Sequence, residues 1–431
     1  MSTDPIVRPD EPPVTALEPT APPPGLGKTP VLFGVFAVLI AALVLFKPRH
    51  EDTTFRLATD TDLVKLPEIT VPADATTWVM VVLMVLAAAF AAWSARAGRR
   101  TPLWLVALFG VAAMTAFLSW AAAGETVPVI GLLAGALALA VPLVFGALGG
   151  VLGERAGVVN IAIDGQLLFG AFGAALVGSI TGSPWAGLLA AMLAGALVAL
   201  VLGVFAITYY VDQVIVGVVL NVLVIGLTSF MFSQVLAPNA ADLNSPPRFE
   251  RMPIPLLGEI PVIGPILFRQ TILVYLMYAA VAIVTWALYR TRWGLRVRAV
   301  GEHPKAADTV GIKVNLTRYR TVLLAGLIAG AGGATYTLVS VSQFNREMTG
   351  GAGYIALAAV IFGKWDPIRA TLAALLFGFA SNLQSVLSVI GSPVPSQFML
   401  MLPYVVTIFA VAGLVGHSRA PAADGVPYRK A

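Results

Sequence analysis

The sequence predicts an all-α, polytopic integral membrane protein with about 10–12 transmembrane helices, some of them broken or re-entrant. Of its 431 residues, 58% are hydrophobic and only 11% are charged, and the mean hydropathy is +0.87. A soluble domain carries roughly 25% charged residues. Apolar segments of about 20 residues, the length that crosses a bilayer as a helix, recur along the chain. Glycines and charges interrupt several of these segments, which predicts breaks in the helices.

The chain begins with a polar, proline-rich stretch. Residues 1–29 contain eight prolines and mixed charges, so we predict a disordered cytoplasmic tail that buries no core. The end of this tail, Gly27-Lys28-Thr29, is similar to the end of a phosphate-binding loop. Pro22 stands where that loop needs a second glycine, so we predict no nucleotide-hydrolysing site.

Twelve segments follow as candidate spans, and the tenth is short and bounded by glycine. They are residues 30–46, 78–95, 102–123, 128–150, 165–182, 186–208, 213–236, 272–290, 321–341, 353–363, 367–390 and 397–416.

Basic residues orient these spans, because cytoplasmic connections carry an excess of Lys and Arg. The connection after the second span and the one between the eighth and ninth are rich in bases, so we predict both to be cytoplasmic. An even number of spans separates them, and both termini then also lie in the cytoplasm. The acidic connection 47–77 and the proline-rich connection 237–270 are predicted outside. The net charge of +5 therefore indicates membrane orientation and contact with lipid, not binding to nucleic acid. The bases are Arg96, Arg99, Arg100, Arg290, Arg292, Arg296, Arg298, Lys305, Lys313, Arg318 and Arg320.

Several classes of chemistry are excluded by composition. The chain has no cysteine, which excludes disulfides, thiol catalysis and cysteine-based metal sites. Its three histidines, His50, His303 and His417, are far apart and show no metal-ligand spacing. We find no HExxH or GxSxG motif either, so the sequence predicts no metal, no cofactor and no enzyme.

A charged, glycine-rich break at 153–170 is the strongest functional signal. Glu154, Arg155, Asn160 and Asp164 lie where a plain membrane helix would carry Leu and Val. A charge at membrane depth costs a few kcal/mol at the least on insertion scales, about 2.5–3.5, so it persists facing protein or a water-filled path. Such breaks point to a transporter's working part. The alternative is a short cytoplasmic turn with Arg155 as a topology anchor.

Two further expectations concern this break. Arg155 is close enough in the chain to pair with Asp164 across a turn. A second glycine-bounded segment, 349–366, is loosely analogous to 153–170, as in transporters built from repeats whose substrate site lies at the repeat interface.

The connection from Trp293 to Arg320 contains a predicted short helix. Pro304 suits a first turn, and Gly311 supplies a stop. Ala306, Ala307 and Val310 give one small apolar face that can dock on a soluble partner. The alternative is an amphipathic helix on the membrane surface.

Four stretches carry a family resemblance, and together they run from about 128 to 416. They are PLVFGALGGVLGERAGVVNIAIDGQLLFGAF (142–172), VDQVIVGVVLNVLVIGLT (211–228), WGLRVRAVGEHPKAADTVGI (293–312) and GGAGYIALAAVIFGKWDPIRATLAALLFGFA (350–380). The chain resembles permease subunits of bacterial ABC importers in the sugar and branched-chain amino-acid group, nearest to the nucleoside (guanosine-type) branch.

The resemblance implies an organisation and partners. Residues 128–416 would form the permease core, 30–127 additional N-terminal transmembrane helices and 417–431 a cytoplasmic C-terminal tail. A separate cytoplasmic ABC ATPase would hydrolyse ATP, a second permease subunit would complete the pathway as a heterodimer, and an extracytoplasmic binding protein would deliver substrate. The membrane would be the bacterial inner membrane.

The resemblance also implies sites. The predicted coupling helix that docks on the ATPase includes Gly301, Glu302, Ala306, Ala307 and Gly311. The candidate substrate-pathway residues, with a nucleoside as the expected substrate, are Asn160, Asp164, Gly165, Asn221, Phe344 and Tyr354. The family usually has Glu before the glycine at 165, where this chain has Asp164.

Two other functions stay open at this point. One is a simple-sugar permease of the same architecture. The other is an ion-coupled secondary transporter with Asp164 or Glu154 as proton carrier, which would need no ATPase. We expect Asp164 and Asn160 to belong to the pathway without relaying protons.

Overall fold

A computed structural model describes residues 28–430 except 60, 61, 63, 100, 393, 395, 396, 399, 400 and 402–418. Residues 1–27 of the predicted tail, 1–29, and most of the twelfth predicted span, 397–416, therefore lie outside the described residues, whereas Lys28 and Thr29 begin the first helix.

The described residues contain ten helices long and apolar enough to cross a membrane, which confirms the all-α polytopic prediction. The predicted short tenth segment is an eleven-residue helix, α13 (Ala352–Phe362). The long helices are α1 (Lys28–Phe46), α2 (Ala73–Arg96), α3 (Leu103–Ala121), α4 (Val129–Arg155), α5 (Ile163–Thr181), α6 (Pro184–Gly203), α7 (Gln213–Met231), α9 (Ile272–Arg290), α12 (Val314–Thr335) and α14 (Pro367–Val389).

Shorter elements occupy the connections. Three of the long helices end in a π-helical turn, at Val204–Thr208 after α6, Phe232–Leu236 after α7 and Tyr336–Ser340 after α12. The proline-rich connection between α7 and α9 does not span, as predicted, and has only short pieces of structure. The short elements are β1 (Asp52–Arg56), β2 (Ile69–Pro72), β3 (Thr126–Pro128), α8 (Ala240–Leu243), β4 (Arg251–Pro253), a 3-10 turn (Leu257–Glu259), a π turn (Gly264–Phe268), β5 (Arg269–Thr271), α10 (Arg292–Glu302) and α11 (Pro304–Thr309).

A three-stranded sheet joins the N-terminal helices to the rest of the molecule, and the sequence did not predict it. Its order is β2-β1-β3, with β1 antiparallel to β2 and parallel to β3. Strands of three to five residues are too short to show a period-two pattern against long helical runs. Because β3 leads directly into α4, the sheet fixes α1–α3 to the start of α4.

Helix α4 is the centre of the molecule and packs against α5, α9, α12, α13 and α14. Small residues let these helices approach closely. A Cβ placed on Gly170 of α5 would lie 2.6 Å from the carbonyl oxygen of Gly330 on α12. Close backbone packing of this kind stabilises helix pairs in lipid, where apolar burial drives little association.

We name one face of the bundle the basic face. It consists of the described residues in the connections that follow α2, α4, α6 and α9, namely 97–99, 101–102, 156–162, 209–212 and 291–313. An even number of spans separates each of these connections from the next, so they lie on the same side, and the three-stranded sheet lies on the opposite side.

Candidate functional site

The two interrupted segments predicted from the sequence lie against each other. Helix α13 runs in the same direction as the second half of α4, since Gly146 faces Ala356 and Gly150 faces Val360. At the start of α13, the Gly353 N–H donates to a carboxylate oxygen of Asp164 at 2.9 Å. The hydroxyl of Thr349 lies 3.4 Å from the other oxygen. Asp164 therefore caps the N-terminus of α13, where a negative charge is favoured.

The opposite end of α13 is joined to the end of α4. The indole N–H of Trp365 donates to the buried carboxylate of Glu154. The guanidinium of Arg155 donates to the carbonyl of Trp365 at 2.9 Å. Both charged residues at the start of the first break thus bond to the end of the second.

The expectation that Arg155 pairs with Asp164 is wrong. Asp164 binds the first turn of α13, whereas Arg155 binds just beyond its last turn. The helix has eleven residues, which at 1.5 Å each separate its ends by about 16 Å.

Asn221 of α7 holds the start of α5 in place. Its side-chain oxygen accepts from the Gly165 N–H at 2.8 Å. Its amide donates to the Ile161 carbonyl at 2.9 Å and to the Tyr354 hydroxyl at 3.0 Å. A Cβ on Gly165 would lie 3.0 Å from the Asn221 oxygen, so glycine permits this approach. The amides of Asn160 and Gln166 also bond to each other in both directions, at 3.1 Å.

Five of the six predicted pathway residues, all but Phe344, are thus part of one junction between α5, α7 and α13. The side chains of Asn160, Asp164 and Asn221 are buried and bonded to protein groups. Tyr354 differs from these three residues, because it is 47% exposed.

Phe344 lies outside this junction and is fully buried. Its ring contacts Phe172 edge-on at 5.4 Å and Phe232 at 6.2 Å. Its backbone is held on both sides by Asn244, at 2.7 and 3.0 Å. The ring is therefore enclosed by protein, and Asn244 fixes the non-helical chain that leads towards α13.

The predicted coupling segment is a pair of short helices on the basic face, α10 and α11. Pro304 begins α11 as predicted, and Gly311 follows it at φ +83°. The expectation of a single small face is wrong. Ala307 is only 4% exposed and packs with Val300, while Ala306 and Val310 are exposed. Consecutive helix positions differ by about 100°, so Ala306 and Ala307 cannot share one face of a six-residue helix.

The other predicted coupling residues are also partly buried and partly exposed. Gly301 is buried against the backbone of Arg155, where a side chain would collide with the Arg155 carbonyl. Glu302 and Gly311 are exposed. The coupling segment therefore touches the end of α4, and through it the junction.

Sequence reasoning missed four partners in the site, namely Gln166, Thr349, Gly353 and Trp365. Gln166 and Trp365 each lie in a polar interruption close behind a glycine, a signal that could have found them. Thr349 and Gly353 act through a hydroxyl and a backbone N–H, and neither role can be predicted from the residue type alone.

The described cavities lie elsewhere. Grooves of about 500 and 440 Å³ run along α9, lined by residues that include Tyr278 and Val281. They share no residue with the junction.

Comparison with known proteins identifies one matching family. Residues 132–411 match the family described as branched-chain amino acid transport system / permease component. No solved structure matches the chain significantly.

Curated relatives match more than half of the chain. The guanosine ABC transporter permease protein NupQ of Bacillus subtilis is 44% identical over 307 residues, 68% of this chain and 95% of the relative. The nucleoside ABC transporter permease protein NupC of Lactococcus lactis is 40% identical over 69% of this chain and 96% of the relative. The putative glucose ABC transporter permease protein TsgC13 of Haloferax volcanii is 37% identical over 59% of this chain and 77% of the relative. The two bacteria also contribute weaker matches, the permease proteins NupP and NupB.

Proposed function

The chain belongs to the family of branched-chain amino acid transport system permease components, and from this we propose that it is the membrane-spanning subunit of an ATP-driven importer of nucleosides. The observation that carries the substrate class is the 44% and 40% identity to permeases named for guanosine and nucleosides, over nearly their whole length. A glucose permease is less similar, at 37% identity, and a simple sugar is the second candidate.

The junction supports a role in alternating access. Two non-helical stretches, 156–162 and 341–351, let α5 and α13 begin inside the bundle. Asp164 and Asn221 hold the starts of these helices together. Movement at this point would change the path beside Tyr354, which is partly exposed and can stack on a nucleobase or bond a ribose hydroxyl.

The same contacts argue against proton coupling through Asp164. Both of its oxygens face donors in the second segment, one backbone N–H and one hydroxyl. A carboxylate used as a structural cap is not poised to exchange protons with a water-filled path. We therefore place Asp164 in the pathway as a residue that holds its geometry.

We assign the basic face to the cytoplasm, with both termini on that side and the bacterial inner membrane as the location. The exposed surface of α10 and α11, with Glu302, Ala306 and Val310, would receive the ATPase, which hydrolyses ATP. A second, different permease completes the pathway, and a binding protein delivers substrate to the opposite face. The weaker matches from the same two bacteria, each to another permease protein, support a heterodimer.

Competition for uptake tests the substrate. In a strain lacking the native gene, the expressed chain with its partners should take up labelled guanosine. Unlabelled guanosine and adenosine should compete strongly, and ribose or leucine weakly. Dominant competition by leucine would contradict both the nucleoside and the sugar assignment, and dominant competition by ribose would favour the sugar.

Purification and vesicle uptake test the energy source. The detergent-solubilised chain should bring an ATPase and a second permease with it. Uptake into ATP-loaded vesicles should persist when a protonophore collapses the proton gradient. Loss of uptake at constant ATP would favour an ion-coupled transporter.

A further inference from the structure

The C-terminal residues 421–429, here called the C-terminal strap, cross the basic face and touch three of its connections. The strap meets the coupling segment at Gly301 and Glu302, the α4–α5 connection at Val159 and the α6–α7 connection at Tyr210. None of the roles proposed above uses this segment.

Backbone hydrogen bonds fix the strap to α10. The Ala423 N–H donates to the Gly301 carbonyl at 2.8 Å. The Ala422 N–H donates to the carboxylate of Glu302 at 3.2 Å. The strap therefore binds the last turn of α10, the same turn that packs on the Arg155 backbone.

Side chains extend this attachment at the far end of the strap. Tyr428 is buried in a cluster with Val300, Ala307 and Val314, which explains why Ala307 faces inward. The guanidinium of Arg429 lies 5.1 Å from the centre of the Tyr210 ring, within range of a cation–π interaction.

A buried arginine of α12 faces the middle of the strap. Arg318 is 1% exposed, and one of its terminal nitrogens donates to the Val426 carbonyl at 3.0 Å. A Cβ on Gly157 would lie 2.7 Å from the other terminal nitrogen and 2.9 Å from the Ala423 carbonyl. Strap, arginine and α4–α5 turn are thus in direct contact. A buried cation without acceptors is costly, so the strap also stabilises the folded position of Arg318.

We propose that the C-terminal strap positions the coupling segment against the α4–α5 turn, so that movement of α10 and α11 reaches the junction at Asp164. The proposal rests on the function proposed above, in which a partner ATPase moves this segment. The strap stays seated through the cycle and works as a rigid link between the two connections. Without it, ATP hydrolysis continues but moves the junction less effectively.

Truncation after Ala420 tests the link in the complete complex, reconstituted with its ATPase, second permease and binding protein. We expect the truncated complex to hydrolyse ATP at a rate within about threefold of the full-length complex. Guanosine transported per ATP hydrolysed should fall at least tenfold. Arg419→Gln, which changes an exposed charge just before the strap, serves as the matched control and should keep the full-length ratio. An unchanged ratio in the truncated complex overturns the proposal.

Hydrogen exchange gives a readout that does not depend on transport. In the truncated chain, backbone amides of residues 299–312 and 156–160 should exchange at least tenfold faster than in the full-length chain, with exchange in α1–α3 unchanged. If these amides exchange equally fast in the truncated and full-length chains, the proposed role of the strap is contradicted, even when the complex transports nothing. If the truncated chain exchanges faster but the full-length complex takes up no nucleoside, only the proposed function is contradicted.

A cross-link tests whether the strap stays seated. Because the chain has no cysteine, Ala422→Cys with Glu302→Cys places one defined pair at the contact. Oxidised and reduced forms of this variant should transport at rates within twofold of each other. A transport rate that collapses on oxidation and recovers on reduction shows that the strap must release, and it overturns the rigid-link proposal.

Discussion

The N-terminal helices α1–α3 and the bundle built around α4 are both strongly apolar, yet their glycines behave differently. A Cβ added to Gly34 in α1 or to Gly110 in α3 would have no neighbouring atom within 4 Å. Gly170 and Gly330 in the bundle lie against the backbone of other helices. Hydropathy alone therefore does not separate a helix that packs through side chains from one that packs through its backbone.

Buried charge separates the two regions in the same way. The bundle buries Glu154, Asp164 and Arg318, each less than 5% exposed. In the N-terminal region α1 and α3 pack through stacked rings, Phe33 on Phe109, with centroids 3.8 Å apart. Costly charges and close backbone contacts occur together, in the region that the family match covers, 132–411. The buried charges and the close backbone contacts thus mark the same part of the chain as the family match.

Replacing one glycine by valine in each region tests the difference in packing between them. Gly330→Val would force a side chain into the Ala191 backbone and the Gly195 Cα, the latter 3.0 Å from its Cβ. Backbone cannot move aside as a flexible side chain can, so we expect a loss of more than about 3 kcal/mol of stability. Gly110→Val should change stability by less than about 0.5 kcal/mol. Thermal unfolding in detergent measures both, and an equal loss of stability in the two variants would contradict the difference in packing between the two regions.

A second pair tests whether tight packing extends to the basic face. Ala307→Glu would bury an unpaired carboxylate beside Tyr428, which we expect to cost on the order of 3 kcal/mol. Ala306→Glu changes an exposed neighbour and should leave unfolding unchanged. If α11 contacts the ATPase, Ala306→Glu should still weaken co-purification of that partner at least tenfold. A stable Ala307→Glu protein would contradict the inward placement.

The junction provides a smaller effect. Asp164→Ala leaves the Gly353 N–H without its acceptor, at a cost of about 1–3 kcal/mol. Asp164→Asn keeps an oxygen there and should lose about half as much or less, with uptake reduced and its pH profile unshifted. In the N-terminal region, Thr77→Val removes a hydroxyl bonded to the Ala73 and Ala116 carbonyls and should cost about 1 kcal/mol or less. A shifted pH profile in Asp164→Asn would instead indicate proton coupling.

A pH dependence of the strap is expected as well. Burial raises the pKa of the Asp424 carboxyl from 3.8 to about 7, although the Gly425 N–H and Arg318 oppose the rise. The seated strap thus favours the protonated acid. Seating should be strongest below pH 3.8, weaken as the pH rises and level off above about 7. Exchange of the amides at 299–312, corrected for intrinsic rates, should show this between pH 5.5 and 7.5, and Asp424→Asn should remove it.

Long apolar segments made the spans predictable, and the mixture of charge and glycine at 153–170 located the junction. The sequence could not show which groups these side chains contact in the folded protein. Arg155 and Asp164 are near in the chain, but α13, from nearly 200 residues later, lies between their contacts. The inward turn of Ala307 depends likewise on Tyr428, more than 100 residues away. Local pattern predicts which groups need partners, while the long-range fold decides which partners they find.

The parallel pairing of β1 with β3 has a consequence for the order of synthesis. Strand β1 can pair with β2 soon after both emerge, but Thr54 meets Thr126 only about 70 residues later. At roughly 5–20 residues per second, the third strand of the sheet arrives several seconds after the first. Because β3 ends at Pro128 and α4 begins at Val129, the sheet closes only as the first helix of the bundle follows it out of the ribosome. The N-terminal helices therefore complete their sheet only with the strand that begins the bundle.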